Sequence, residues 1–220
     1  MPGTPVLKSL LFGICLLPLA GCLGGILQAA GFSSLPGFDL GADPSRFVLD
    51  TLAKTALNLL LLTLLVTPLQ RLTRQPQLLS LRRRLGLFAF SYALLHVLVY
   101  LGPYRGFDWR EITKDLGKRP YISLGFCALL LLLPLAVTSS DRMMRRLGRR
   151  WQRLHRLIYP ASVLVVLHFW KMLKHEYRQP LLYAVILALL LGFRLWQYLR
   201  RRRGGSLISR SGPPRAPETA

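Results

Sequence analysis

The sequence predicts an all-α protein, a bundle of six transmembrane helices with both chain termini in the cytoplasm. Of its 220 residues, 52% are hydrophobic, although the formal net charge is +21. The two kinds of residue are segregated, because long Leu-rich blocks alternate with short Arg-rich blocks. Such segregation is typical of polytopic membrane proteins whose basic connections lie beside anionic lipid headgroups. A nucleic-acid-binding protein would spread its basic residues over polar segments, so we expect no nucleic acid as a partner.

Six apolar windows approach the length of about 20 residues that a helix needs to cross the hydrocarbon core. They are residues 6–30, 47–69, 85–103, 121–137, 154–173 and 181–199. The fifth and sixth windows have the shortest uncharged runs. We therefore expect their ends to be anchored by flanking aromatic and basic residues at the membrane surface.

The orientation prediction depends on the charges between these windows. Basic residues are concentrated in 71–84, 142–153 and 200–203, which are the even-numbered connections and the tail. The first and third connections instead hold most of the acids, namely Asp39, Asp43, Asp108, Glu111 and Asp115. The positive-inside tendency then places the even-numbered connections and both termini in the cytoplasm.

We divide the chain into three parts: a first helix with its outer loop (1–46), the main bundle (47–200) and a disordered cytoplasmic tail (201–220). No internal repeat is evident. The tetrapeptide that ends at Cys22 also matches the lipidation site of a lipoprotein signal. Cleavage there, which would leave five spans and a lipidated Cys22, stays an alternative to an uncleaved first helix.

Two histidines are predicted to lie at the same depth in the membrane. His96 follows Arg84 by twelve residues and His168 follows Arg156 by twelve, so each lies about 18 Å from the inner edge. Intramembrane histidines are usually functional, and two imidazoles at one depth suit the axial positions of one haem iron. The alternative is that each ring hydrogen-bonds a neighbouring helix. Zinc would require three or four ligands, which this depth does not offer.

His155 lies thirteen residues before His168, about 20 Å lower along the same helix. This spacing fits a second haem nearer the inner face, but the corresponding position on the other helix is Arg83. His155 therefore ligates an inner haem alone or with another ligand, meets a headgroup, quinone or flavin, or is an ordinary interfacial histidine. His175 is expected to be solvated in an outer loop.

Lys54 is the remaining candidate for cofactor binding. It belongs to a stripe with Arg46, Asp50 and Asn58, which recur every four residues at the outer start of the second helix. Lys54 either pairs with Asp50 and extends toward the surface, or pairs with the propionates of an outer haem.

The cysteines limit how a haem is held. Cys15, Cys22 and Cys127 lie in apolar segments, and the chain has neither CxxC nor CxxCH. A disulfide framework, a zinc knuckle and covalently attached haem are therefore excluded, so coordination and packing must hold the group. The length also leaves no room for a second, nucleotide-binding domain.

Several motifs carry a resemblance to a known family. They are GADP at 41–44, LLVTP at 64–68, RRLGL at 83–87, KRPYISLG at 118–125, LAVTS at 135–139 and LGRRWQRLH at 147–155. Together with the histidines they resemble the MsrQ family, the haem-binding membrane subunit of the bacterial periplasmic methionine sulfoxide reductase system. That family belongs to the ferric-reductase-like transmembrane superfamily, and the likeness covers about residues 40–200.

The resemblance implies an inner-membrane subunit that carries electrons from the quinone pool through haem b, with FMN as a further cofactor. The recipient would be a periplasmic molybdopterin subunit that reduces methionine sulfoxide in oxidised proteins, so catalysis would lie in that partner. The family's haem histidines match His96, His155 and His168, whereas the superfamily's fourth histidine is replaced by Arg83.

Two other functions stay open at this point. A stand-alone haem-containing ferric or quinone reductase would have the same histidines. A non-redox transporter or scaffold would be favoured by midplane acids and paired broken helices, which the windows lack.

Overall fold

The computed structural model describes residues 3–29, 43–173 and 176–208. Every regular element in these ranges is helical, which confirms the predicted all-α class. Asp39, His175 and the end of the tail lie outside the described residues, as does the connection from the first helix to the second. The predicted division into three parts stays a prediction.

The α-helices of the described ranges are numbered in chain order. They are α1 (Gly3–Ala29), α2 (Pro44–Thr73), α3 (Leu79–Val99), α4 (Trp109–Lys118), α5 (Pro120–Val137), α6 (Asp141–Leu147), α7 (Arg149–Leu154), α8 (Ile158–Met172) and α9 (Arg178–Ile208). Short 3₁₀ turns at Pro76–Leu78 and His155–Leu157 precede α3 and α8, and a π-helical turn at Tyr100–Tyr104 extends α3.

Five helices of the described residues are long and apolar enough to cross a membrane, and they correspond to five of the six predicted windows. These helices are α1, α2, α3, α5 and α9. The fifth window corresponds to α8, which has 15 residues and a length of about 22 Å. That is shorter than the hydrocarbon core, so the sixth span stays a prediction. The five spans make this a multi-pass membrane protein.

The structure contains helices where the sequence predicted only connections. α4 begins at Asp108, whose side chain accepts hydrogen bonds from the backbone N–H groups of Arg110 and Glu111. Its buried residues include Ile112 and Asp115, while most of its other side chains are exposed. α6 begins at Ser140 in the same way. A search for apolar windows misses such helices because they are polar overall.

The helices pack in two main pairs, α2 with α3 and α5 with α8. α1 and α9 both pack against α2, and α9 also contacts α8. Leu52, Leu57, Leu60 and Leu64 of α2 are buried in the core. Contacts between α3 and α5 join the two pairs, and a cavity lies between them.

Candidate haem-binding site

The cavity between the two helix pairs has a volume of about 370 Å³, which is typical of sites for small molecules and cofactors. His96 of α3 and His168 of α8 both line it. Most of the other lining residues are apolar, including Leu60, Ala89, Ala93, Val97, Ile122, Phe126, Ala128, Leu129, Leu132 and Val165. The structure therefore brings together the two histidines that the sequence predicted at one depth.

Each histidine ring is fixed by a backbone carbonyl of the helix it packs against. Nδ1 of His96 lies 3.0 Å from the carbonyl oxygen of Leu49, and Nδ1 of His168 lies 2.6 Å from that of Tyr121. A carbonyl oxygen only accepts, so Nδ1 of each neutral ring carries the hydrogen and donates it. Nε2 is then the unprotonated nitrogen, and a hydrogen bond of this kind is what usually orients a metal-binding histidine.

The separation of the two rings fits two axial ligands of one iron. Their centroids are 6.4 Å apart and their planes are inclined by 78°. Two metal–nitrogen bonds of about 2 Å, with roughly 1.1 Å from each nitrogen to its ring centre, predict about 6.2 Å between the centres. An edge-to-face pair of rings can have the same centroid distance, so the spacing indicates a metal site only together with the cavity that both rings line.

The two halves of the site follow the same plan. In each half the histidine follows its carbonyl partner by 47 residues. The second half repeats the first with an offset of 72, from Leu49 to Tyr121 and from His96 to His168. This repeat is not evident from the sequence alone, because histidine is the only residue type that the two pairs share.

Gly125 occupies a position in α5 that a larger residue would disturb. A Cβ atom built on Gly125 would lie 3.0 Å from both Nδ1 and Cε1 of His168. The ring has little freedom to withdraw, because its Nδ1 is bonded to Tyr121 one turn earlier in the same helix. The absence of a side chain at Gly125 therefore lets His168 lie against α5. The counterpart of Gly125 in the first half is Ala53, which also lines the cavity.

The basic residues that line the cavity are Arg46 and Arg119, near the starts of α2 and α5. Lys54, which the sequence suggested as a partner of haem propionates, is exposed and does not line the cavity. Asp50, from the same stripe, does line it. The sequence placed Arg46 in the stripe with Lys54 but assigned it no role, and Arg119 was not singled out because it lies at the end of an apolar window, where basic residues are common.

A buried carboxylate binds several side chains at the end of the bundle where Arg119 lies. Asp115 of α4 accepts a hydrogen bond of 2.9 Å from the hydroxyl of Tyr100, which lines the cavity. It also forms ion pairs with Arg105 and with Arg119, the latter at 3.1 Å from Nε. α4 is thereby attached to the cavity wall through both Tyr100 and Arg119.

His155 does not line the cavity. Its ring stacks on Trp151 with 3.9 Å between centroids, and its Nδ1 lies 3.2 Å from the carbonyl oxygen of Trp151. Arg83, the counterpart of His155 in the first half, forms an ion pair with Asp141. Within the described ranges, no three His, Cys, Asp or Glu side chains are grouped as a metal site.

Comparisons with known proteins show the family to which the chain belongs. The model of the family described as "Ferric reductase like transmembrane component" matches residues 52–166, just over half of the chain. A protein named "Protein-methionine-sulfoxide reductase heme-binding subunit MsrQ" from Xanthomonas campestris pv. campestris (strain 8004) is 52% identical over 178 residues, which cover 80% of each chain. The chain belongs to the MsrQ family.

Other MsrQ proteins show the same degree of likeness. One from Xanthomonas oryzae pv. oryzae is 51% identical over 178 residues, with 80% of each chain covered. One from Ralstonia nicotianae is 46% identical over 178 residues, with 80% of this chain and 82% of its own covered. The family resemblance read from the sequence motifs is thereby confirmed, and MsrQ relatives are named for binding haem.

Proposed function

We propose that this chain is a haem b-containing electron-transfer subunit that passes electrons from the quinone pool to a periplasmic molybdopterin-containing methionine sulfoxide reductase. The partner would carry out the reduction of methionine sulfoxide in oxidised proteins. The observation that supports this most directly is the pair of histidines, His96 and His168, whose ring centroids are 6.4 Å apart in an apolar cavity. Each ring is held by a hydrogen bond between its Nδ1 and a backbone carbonyl.

The residues of the cavity have distinct roles in this proposal. His96 and His168 would supply the two nitrogens that hold the iron, and the carbonyls of Leu49 and Tyr121 hold those rings in the required tautomer. The apolar walls exclude water from the site. When bound, the haem supplies a one-electron carrier, whose potential depends on its axial ligands and on the charges around it.

We assign the haem propionates to Arg46 and Arg119, the two basic side chains that line the cavity. Guanidinium groups bind carboxylates through two parallel hydrogen bonds, which a lysine cannot do. Arg119 is held in place by Asp115, and Asp115 also bonds to Tyr100 in the cavity wall. An interaction of Lys54 with the propionates stays a prediction from the sequence.

The proposal places the protein in the bacterial inner membrane with six spans. α8 would form the sixth with help from the preceding turn and α7, and from the aromatic residues beside its ends. The Arg-rich segments around α6 and α7, with both termini, would face the cytoplasm. The end that carries α4 and the histidine pair would then face the periplasm, where the electron recipient lies.

Three sequence predictions belong to this proposal without geometric support. Binding of FMN and of quinone is inferred from the family alone. Ligation of an inner haem by His155 also stays a prediction, since His155 is part of a basic segment and stacks on Trp151.

The first test is haem stoichiometry by the pyridine haemochrome assay on purified protein expressed with ample haem. We expect wild type to contain b-type haem, and His96→Ala and His168→Ala each to lose at least about 90% of one haem, because a single imidazole holds the iron weakly. His155→Ala reports separately on an inner haem, because its ring does not line the cavity. A colourless wild type, or full haem content in His96→Ala or His168→Ala, would contradict the proposal.

The second test distinguishes the recipient. Protein reduced in proteoliposomes is mixed either with a periplasmic molybdopterin reductase and a methionine sulfoxide substrate, or with a ferric chelate. We expect fast reoxidation that requires both reductase and substrate. Fast reoxidation by the ferric chelate alone would instead favour a stand-alone ferric reductase.

A further inference from the structure

Arg194 lies within an apolar span, and its main-chain contacts have a local explanation. Its Nη2 donates to the carbonyl oxygen of Leu64 at 2.9 Å and to the hydroxyl of Thr67 at 3.1 Å. The Leu64 carbonyl is available because the residue four positions later in α2 is Pro68, which has no N–H. Arg194 therefore replaces a hydrogen bond that α2 cannot make for itself.

The contact with Leu64 requires a hydrogen-bond donor at this position, but it does not require the donor to be positively charged. The third partner of Arg194 is the hydroxyl of Tyr159, to which Nη1 donates at 2.6 Å, and all three partners are neutral. Its buried Nε has no hydrogen-bond partner in the described part of the chain. No ion pair among the described residues includes Arg194. A permanent charge held in hydrocarbon without a counter-ion is costly, so such groups are usually paired.

A second guanidinium lies at the same place. Arg82 of α3 is half-buried, lies beside the same Tyr159 hydroxyl and is close enough to Arg194 for the two charges to repel. The adjacent residues Arg83 and Arg84 are exposed, and Arg83 has Asp141 as its partner. Arg82, by contrast, takes part in none of the ion pairs found among the described residues.

The three side chains together present hydrogen-bond donors to an anion. Arg82 offers a planar fork of N–H groups, and Arg194, whose Nη1 and Nη2 already donate within the bundle, keeps an unpaired Nε–H. The Tyr159 hydroxyl, which accepts from Arg194, still has its own hydrogen to donate. Guanidinium groups are a usual recognition element for phosphate oxygens. The location also fits, because basic pockets between transmembrane helices near an Arg-rich membrane face bind lipid headgroups.

We propose that Arg82, Tyr159 and Arg194 form a binding site for a phosphate group, between α3, α8 and α9 at the Arg-rich end of the bundle. The phosphate belongs either to the headgroup of an anionic phospholipid or to a soluble phosphate ester. Its negative charge supplies the counter-ion that the two guanidiniums lack among the residues that the structure describes. The inference does not depend on the proposed electron transfer.

The experiment measures thermal unfolding of the purified full-length protein by tryptophan fluorescence in mixed micelles. One arm adds phosphatidylglycerol and compares it with the same fraction of phosphatidylcholine. The other adds inorganic phosphate or glycerol 3-phosphate and compares it with sodium chloride at equal ionic strength. The variants are Arg82→Gln and Arg194→Gln, and the matched control is Arg84→Gln, which removes an exposed charge from the same helix. Native mass spectrometry counts bound lipid.

We expect phosphatidylglycerol or the phosphate ester to raise the Tm of wild type and of Arg84→Gln by about 5 °C in a saturable way. Arg82→Gln and Arg194→Gln should lose most of that rise. Arg82→Gln is the safer test of binding, since it leaves the contact between Arg194 and Leu64 intact. A rise with lipid alone identifies a headgroup, and a rise with the soluble ester alone identifies a free phosphate.

The proposal is overturned if neither ligand raises the Tm beyond its control. It is also overturned if Arg84→Gln loses as much of the rise as Arg82→Gln, since the effect would then be general surface electrostatics. None of these measurements requires bound haem. They therefore stand or fall separately from the haemochrome assay.

Discussion

The two halves of the bundle have the same kind of residue at equivalent positions at one end and different residues at the other end. At the end near α4, the α2–α3 pair and the α5–α8 pair each hold a histidine through a carbonyl of the neighbouring helix. At the Arg-rich end, the first half has Arg83 where the second has His155. Arg83 pairs with Asp141, and His155 stacks on Trp151.

This difference indicates where the bundle can bind a metal between its halves. Two facing imidazoles form a site with axial nitrogens on both sides, whereas a guanidinium cannot act as a metal ligand because it stays protonated. The shared end is therefore suited to holding an iron symmetrically. At the Arg-rich end the chain offers charge instead, through Arg82 and Arg194, which suits anions.

The largest effect is expected from giving Gly125 the side chain of its counterpart Ala53. Gly125→Ala places a methyl group against His168, and overpacking of this kind costs about 1–3 kcal/mol. We expect haem affinity, measured by titration of the apoprotein, to fall about tenfold or more. Ala53→Gly in the first half should change it little.

Gly86→Ala is the control for the glycine substitution itself. Its added methyl group would meet only Thr63 at 3.6 Å, an ordinary van der Waals distance. If Gly125→Ala binds haem as tightly as Gly86→Ala does, the close packing of His168 on α5 has no functional consequence.

A second comparison concerns two acids separated by the same offset, Asp43 and Asp115. Asp43 caps α2 and is exposed, whereas Asp115 is buried and binds Tyr100, Arg105 and Arg119. We expect Asp115→Asn to lower the free energy of unfolding by about 1–3 kcal/mol, because it leaves the arginines without their carboxylate.

Asp43→Asn should cost only a few tenths of a kcal/mol, since asparagine caps a helix about as well as aspartate. Both variants are compared by denaturant unfolding in one detergent. Equal losses would show that the network around Asp115 adds nothing to the ordinary role of a capping acid.

A smaller effect is expected from the charges at the cavity. If Arg46 and Arg119 bind the propionates, replacing either by Gln removes a positive charge that stabilises the reduced haem. We expect the midpoint potential to fall by about 30 mV, which corresponds to the roughly 0.7 kcal/mol of a partly exposed ion pair. Redox titration of Lys54→Gln provides the comparison, and a larger shift there would restore the assignment made from sequence.

The smallest effect concerns the ion pair that replaces a histidine at the Arg-rich end. Arg83 lowers the pKa of the exposed Asp141 through a hydrogen bond and its charge. The stabilisation from this pair is present above the ordinary Asp pKa of about 3.9 and is lost as the pH falls through the lowered value. Asp141→Asn should therefore lower the Tm slightly at pH 7. The difference should vanish in acid, and a difference that grows in acid would contradict this assignment.

The sequence was sufficient for the five long apolar helices, though the sixth predicted span stays a prediction, and for bringing His96 and His168 to one cavity. Both predictions depend on hydrophobicity and on distance along a helix, which follow directly from residue spacing. It was not sufficient for α4, α6 and α7, which are short and polar. Side-chain caps begin α4 and α6, and of the three helices α4 alone has buried residues. The carbonyl partners of the histidines were also out of reach, because any residue type provides a carbonyl.

Gly125 and the two cavity arginines show a further limit. Glycine in an apolar helix is common, and only the approach of His168 gives Gly125 its importance. The offset of 72 between the halves was a usable signal, but it becomes convincing only when Leu49 and Tyr121 are seen to serve the same purpose. The equal spacing of histidines and of small residues in the two halves is therefore a better guide to the site than the identity of any single residue.

The central claim is that His96 and His168 bind one iron from opposite sides. The most direct measurement is the electron paramagnetic resonance spectrum of the oxidised protein, recorded for wild type, His96→Ala and His168→Ala. We predict a low-spin ferric signal in wild type that disappears, or becomes high-spin, in both variants. A high-spin wild type, or a low-spin signal that survives loss of either histidine, would contradict the account.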